Sequence, residues 1–272
     1  MTKLLVQGDD FGFTKGVTYG IADAIDYGAV RNTGLFANMP AAVLAVKLME
    51  GRKQVCFGQD FNIVSGYPCA APKDIPHLVD DHGAFIRSSV RVQDVRYQTE
   101  SGRREMFPME EVDCEIRAQY AQFQKLTGGK RPGYFHGHSL MHENYMEAIR
   151  RLSKETGIPF SMDIINRKKA VSFSSLLPLK SDASLSKKEF NPLKQLDKNP
   201  LKELQSIAGQ ILQHDCVWLV KHPGFLDAEL LTLSTLSIER IRDHEMMTST
   251  WLKEWIRQEN IELITYADLM DM

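Results

Sequence analysis

The chain's first strand and the acids that end it lie in Leu4-Leu5-Val6-Gln7-Gly8-Asp9-Asp10-Phe11-Gly12. Leu4, Leu5 and Val6 form an apolar run too short for a helix and bounded by glycine. It reads as a strand buried on both faces of a parallel sheet. Two adjacent carboxylates end it, and a helical pattern follows. In α/β proteins the carboxyl ends of parallel strands are where active sites are built. Adjacent carboxylates repel, so the pair calls for a cation, a proton or strong donors nearby. The competing reading of a lone Asp-Asp is a helix cap in a polar turn.

Outward from that strand, Val17, Ile21, Ala24 and Ile25 recur at helical spacing between Thr14 and Tyr27, with Gly28 as a stop. Ala29 to Ala37 reads as a second strand running into the turn Asn38-Met39-Pro40. Ala41 to Glu50 reads as a helix closed by Gly51. Gln54 to Asp60 is a third strand ending in another acid, followed by Phe61-Asn62. This alternation predicts a parallel sheet or barrel with helices outside. Periodicity then disappears from Ser65 to Phe107, a span rich in proline, glycine and charge. It is expected to be a long functional loop or lid inserted after the third strand, with Phe85, Tyr97 and Phe107 either lining a ligand or pinning the loop.

Met109 to Leu126 returns to helix. A short strand at Tyr134-Phe135 then empties into His136-Gly137-His138-Ser139-Leu140-Met141-His142, which holds three of the chain's eight histidines. His136 and His138 alternate, so on an extended segment they face one side. Three histidines at one strand end favour metal or acid–base chemistry over satisfied core residues. Glu143 to Gly157 reads as helix, Ile158 to Ser161 as strand, Arg167 to Asn199 as polar loop or short helix, and Leu201 to Gln213 as helix. Cys216 to Val220 is an apolar strand ending at Lys221-His222-Pro223. Ile238 to Glu245 and Ser249 to Glu259 read as helices, and Ile261 to Ile264 as a last strand. No repeat or composition break divides residues 1–272, so a single domain is expected.

Composition narrows the function classes. A net charge of −2 with no strongly basic segment argues against nucleic acid. No apolar run approaches a membrane span, and Met1-Thr2-Lys3 leads straight into a strand, not into a signal-peptide pattern. Cys56, Cys69, Cys114 and Cys216 form no CxxC pair and are expected as reduced thiols in a cytoplasmic protein.

Four strand ends thus carry Asp9/Asp10, Asp60, His136/His138 and His222. In a TIM-barrel-like (β/α) barrel, seven-stranded in one reading, all four converge on one face. A mixed Asp/His set suits Zn²⁺ or another divalent ion with open positions. Such an ion polarises a carbonyl, a spare carboxylate takes a proton from water, and a histidine protonates the leaving group. Hydrolysis of an amide or ester is the chemistry these parts suit.

Asp9-Asp10-Phe11-Gly12, the stretch Thr33 to Pro40, the Gly58-x-x-x-Asn62 turn, Gly137-His138 and His222-Pro223 resemble the YdjC-like carbohydrate deacetylases. The resemblance runs through nearly the whole chain in motif order. It implies a (β/α) barrel that hydrolyses N-acetyl groups of amino sugars such as chitooligosaccharides, with one divalent ion (Mg²⁺, Zn²⁺ or Mn²⁺). By it Asp10, Asp60 and His138 are expected as metal ligands, Asp9 as general base, and His222 as general acid or oxyanion partner. His136, His142 and Asn62 fall to the substrate side. A small carbohydrate is the expected partner, with a homodimer as an option. Two positions depart from the family pattern: Asp60 stands where a metal-binding histidine is usual, and His136 where an aspartate is usual. The acid shifts the site toward harder ions such as Mg²⁺ or Mn²⁺. A catalytically inactive carbohydrate-binding or regulatory member is the alternative, and an isomerase or lyase on the same scaffold is a third reading.

Overall fold

The computed structural model describes residues 1–177 and 191–271. Its centre is β1 (Lys3–Gly8), joined by β2 (Asn32–Phe36), β3 (Cys56–Phe61), β4 (Phe135–Gly137), β5 (Val171–Ser172), β6 (Cys216–Lys221) and β7 (Glu262–Ile264). All pairings are parallel, in the order β4-β3-β2-β1-β6-β5, with β7 also on β1. β6 runs beside the whole of β1, from Lys3 opposite Cys216 to Gly8 opposite Lys221. The other edge of β1 is divided: β7 takes Lys3 to Leu5 and β2 takes Gln7. Strand alternation explains the apolar run. Leu4 and Val6 enter the cluster beneath the outer helices, whereas Leu5 meets Tyr134, Ile264 and Tyr266 on the inner face.

The helices lie where βα alternation requires. α1 (Lys15–Asp26) is capped by Thr14, whose hydroxyl accepts from the Val17 N–H at 3.3 Å, and α2 (Ala42–Met49) follows β2. The span after β3 is not a bare loop. It carries α3 (Ser88–Arg91) and α4 (Glu100–Met106) and its own apolar cluster, in which Phe85 and Phe107 are buried. Elements this short carry no periodic signal, which is why the sequence pattern is blank there. α5 (Met109–Thr127) anchors this insertion through buried Glu115, which accepts from the Cys69 and Ala70 N–H groups at 3.0 and 2.8 Å. α6 (Glu143–Thr156) closes the same cluster.

The second half departs further from expectation. Ile158 to Ser161, expected as a strand, contributes one bridge, Phe160 to Phe135. Pro159 has no N–H for a ladder, and Ser161 already begins α7 (Ser161–Lys168). β5 and α8 (Phe173–Leu176) emerge from the expected polar loop, of which residues 178–190 lie outside the described residues. α9 (Pro200–Ile211) leads into β6. α10 (Ala228–Leu233), α11 (Glu239–Thr248) and α12 (Thr250–Gln258) lead into β7, and α13 (Tyr266–Asp271) ends the described chain. Among the described residues no pairing joins the β4 edge to the β5 edge. The sheet therefore curls into part of a barrel, not a closed ring. No described helix is long and apolar enough to cross a membrane.

Candidate active site

Asp9, Asp60, His136, His138, His222 and Arg240 line one cavity of about 210 Å³ at the carboxyl ends of the strands, rimmed by Ser88, Ser139, Ser234 and Thr235. The pleat explains the convergence. Asp60 and His136 are register partners on β3 and β4, on the same inward face as Tyr134. Asp60 has room only because β2 offers a glycine beside it: a Cβ on Gly34 would lie 1.9 Å from Asp60 Oδ1. Gly58 serves Tyr134 in the same way, with the ring 2.6 Å from where a Cβ would sit.

The acidic pair at the end of β1 splits. Asp9 stays on the inward face, where its Oδ1 accepts from Gln7 Nε2 at 2.5 Å and its Oδ2 lies 3.6 Å from His136 Nε2. Asp10 takes the left-handed conformation, φ 79°, a region that aspartate tolerates better than most residues. That turn points its carboxylate away from Asp9 into full burial, where Oδ2 pairs with Arg240 Nη2 from α11 and Oδ1 lies 2.9 Å from His138 Nδ1. His138 also meets the edge of Phe36, 5.0 Å between ring centres. The N–H of His222 donates to Asp243 Oδ2 at 3.0 Å.

Burial alone would push all these carboxyls up, and their neighbours decide the outcome. For Asp9 the His136 imidazolium outweighs burial and holds the carboxyl below its ordinary value. For Asp10 the opposing His138 and Arg240 charges hold it well below. Asp60 has no comparable partner, so burial and the Asp9 charge push it up to about 7. His136 behaves reciprocally: burial lowers it, but Asp9 prevails and lifts it to about 9. Asp60, buried beside Asp9 and with no cation placed against it as His136 is against Asp9 or Arg240 against Asp10, is the carboxyl held closest to neutral.

Two expected substrate residues lie elsewhere. His142 is buried, stacks on Phe107 at 3.9 Å between ring centres, and caps α6. Burial lowers its pKa to about 4, so it is a neutral core residue. Asn62 organises the turn after β3: its Nδ2 donates to the Ser65 carbonyl at 2.8 Å and its Oδ1 accepts from the Val64 N–H at 3.1 Å. Conversely, the sequence reading assigns no role to Arg240 or Gln7. Arg240 sits in a charged helical stretch that looks like any solvated face. Gln7 could have been found, since it stands two residues before Asp9 on a strand and so shares its face.

The donor chemistry suits a divalent ion. Two carboxylates and an imidazole, Asp10, Asp60 and His138, are present, and Asp60 Oδ1 is buried without a hydrogen-bond partner. As the side chains stand, no three described His, Cys, Asp or Glu residues converge tightly enough to hold one. Asp10 and His138 are closed on each other, and Asp60 stands apart over Gly34.

A family model described as YdjC-like protein matches residues 3–258. Carbohydrate deacetylase 2 of Listeria innocua is 30% identical over 270 residues, covering 98% of each chain. A carbohydrate deacetylase of Clostridium beijerinckii is 26% identical, over 98% of this chain and 100% of its own. Among solved structures, an Enterococcus faecalis V583 protein provisionally assigned to cellobiose-phosphate cleavage superposes with a TM-score of 0.75 at 22% identity, over 98% of both chains. A mutant CE4 family pseudoenzyme with restored activity shares the fold more loosely, with a TM-score of 0.51 at 9% identity over 99% of this chain and 68% of that one. With the match spanning the strand ends that build the cavity, the chain belongs to the YdjC-like family.

Proposed function

We propose that the cavity is the active site of a metal-dependent hydrolase that removes N-acetyl groups from an amino sugar or chitooligosaccharide-like substrate. The observation that carries this is the convergence of Asp9, Asp60, His136, His138 and His222 on one cavity at the strand ends. Relatives named carbohydrate deacetylases, matched end to end, support the reaction class. Four free thiols support a reducing, cytoplasmic setting.

Asp10, Asp60 and His138 would hold the ion, which supplies Lewis-acid polarisation of the acetamide carbonyl. Asp9, kept ionised by His136, takes a proton from the water that attacks the carbonyl carbon. His136 stays charged beside it and steadies the negative charge that moves onto the carbonyl oxygen. As the carbon–nitrogen bond breaks, His222 delivers a proton to the departing amine, and acetate and a free amino sugar result. Ser88, Ser139, Ser234 and Thr235 at the rim offer hydroxyls suited to the sugar's own hydroxyls.

Proton NMR of metal-supplemented protein with N-acetylated chitooligosaccharides tests the reading. Free acetate should appear with wild type and drop at least about a hundredfold in rate with Asp9→Asn. A rearranged sugar with its acetyl group intact, or binding without turnover across a broad panel, contradicts it.

A further inference from the structure

We propose that Gln7 is a positioning residue that holds one oxygen of Asp9 as an acceptor and thereby fixes the carboxylate with its other oxygen presented to the cavity. The inference rests on the reading of Asp9 as general base. Gln7 is fully buried, one pleat below Asp9 on the same inward face of β1. Its Oε1 accepts from Trp218 Nε1 at 3.2 Å and from Tyr266 Oη at 2.6 Å, and its Nε2 donates to Asp9 Oδ1 at 2.5 Å.

The sense of a glutamine amide is normally an assignment from its partners, since oxygen and nitrogen scatter alike. Here one partner removes the choice. An indole N–H can only donate, so the amide end facing Trp218 must be oxygen. The end facing Asp9 is then the NH₂ group. Trp218 holds this sense from β6, where its backbone is the register partner of Leu5, and Tyr266 holds it from the start of α13.

The consequence falls on Asp9. The Gln7 N–H engages Oδ1 as an acceptor, and that bond fixes the rotation of the carboxylate. Oδ2 is then the oxygen left to meet water in the cavity. That oxygen faces His136 Nε2 at 3.6 Å, and His136 is itself held by a 2.6 Å contact from Nδ1 to Ser161 Oγ. Trp218 and Tyr266 therefore act on the general base without touching it. They set the amide, the amide sets the carboxylate, and the carboxylate presents one oxygen to the cavity.

The test is a mutant cycle read by kcat and KM for acetate release. Gln7→Met, which keeps bulk but has neither donor nor acceptor, should lower kcat about ten- to a hundredfold with KM within about twofold. Trp218→Phe with Tyr266→Phe frees the amide to turn over and should lower kcat similarly, although every atom of Gln7 remains. Combined with Gln7→Met, the two Phe substitutions should cost nothing more, because they act only through the amide. Unchanged kcat in Gln7→Met, or Phe effects that persist in full without the amide, overturns the proposal.

A second measurement is independent of catalysis and of variant folding. In ¹⁵N-labelled wild type one Gln7 side-chain amide proton should lie downfield of the free-amide range and exchange slowly. If it resonates and exchanges like an exposed glutamine, the proposal fails even where acetate is released. If it is shifted but no acetate forms, the positioning stands and the deacetylase reading fails.

Discussion

Replacing Arg240 with methionine isolates what holds Asp10 ionised in the interior. The side chains of Arg240 and Asp10 are 1% and 0% exposed, so neither charge has water to fall back on. Breaking a buried pair by removing one partner typically costs about 3–5 kcal/mol, because the other charge is stranded. Asp10 keeps one neighbour, His138 Nδ1 at 2.9 Å, which argues for the lower half of that range. The lost Nε bond to the Leu236 carbonyl, at 3.0 Å, and the lost placement over the Phe13 ring, 5.7 Å from its centre, push back upward. The expected cost is about 3–4 kcal/mol, or roughly 6–16 °C in Tm for a domain of this size. Asp10→Asn and the double variant complete the cycle, and a coupling of about 2 kcal/mol or more is expected from thermal and urea melts. The pH dependence has a definite sign. Asp10's folded carboxyl lies well below 3.8, so its contribution is complete above that pH and is lost as pH falls through the folded value. Without Arg240 the folded value rises, and acid unfolding should begin at higher pH. A stability loss under about 1 kcal/mol, or single-variant effects that simply add, refutes the claim that this pair secures Asp10.

Gly34→Ala should destabilise by about 1–3 kcal/mol, since its methyl would meet Asp60 Oδ1 at 1.9 Å, and denaturant midpoints read the loss directly. It should also impair acetate release by displacing Asp60; normal activity would show that Asp60 need not lie over β2. His142, held neutral by burial with a pKa of about 4, favours folding less as pH falls from 6.5, where the unfolded histidine begins to bind protons, toward 4. Across that window wild type should lose up to about 3 kcal/mol that His142→Asn, still able to cap α6, does not lose; parallel pH profiles for the two proteins would count against a neutral His142. Asp9→Asn should leave metal content unchanged while abolishing turnover, and metal loss in that variant would move Asp9 from base to ligand.

The strands were legible where apolar runs end in chemistry. Leu4 to Asp10, Gln54 to Asp60 and Cys216 to His222 each show a buried strand delivering a polar side chain to one sheet edge. The parity of His136 with His138 was also legible, because strand alternation is a property of the backbone. Less visible was anything set by contacts distant in sequence. Nothing near Asp10 announces that a left-handed turn carries it away from Asp9 to Arg240, some 230 residues on. His142 looked like the third member of a histidine cluster, yet Phe107 from the insertion covers it. Ile158 to Ser161 has strand composition, but Pro159 and the start of α7 reduce it to a bridge. The insertion after β3 defeated periodicity because its helices span four and seven residues.

If Asp10, Asp60 and His138 hold a divalent ion as proposed, removal of acetyl groups in this cavity should depend on it. Metal analysis of purified protein, paired on the same samples with acetate release from N-acetylated chitobiose-type substrates, decides the matter. The expected result is a bound divalent ion, acetate release that stops with chelator and returns with added metal, and loss of both metal and turnover in His138→Ala. Full acetate release from metal-free protein, or none from metal-replete protein across the substrate panel, would refute the proposed function.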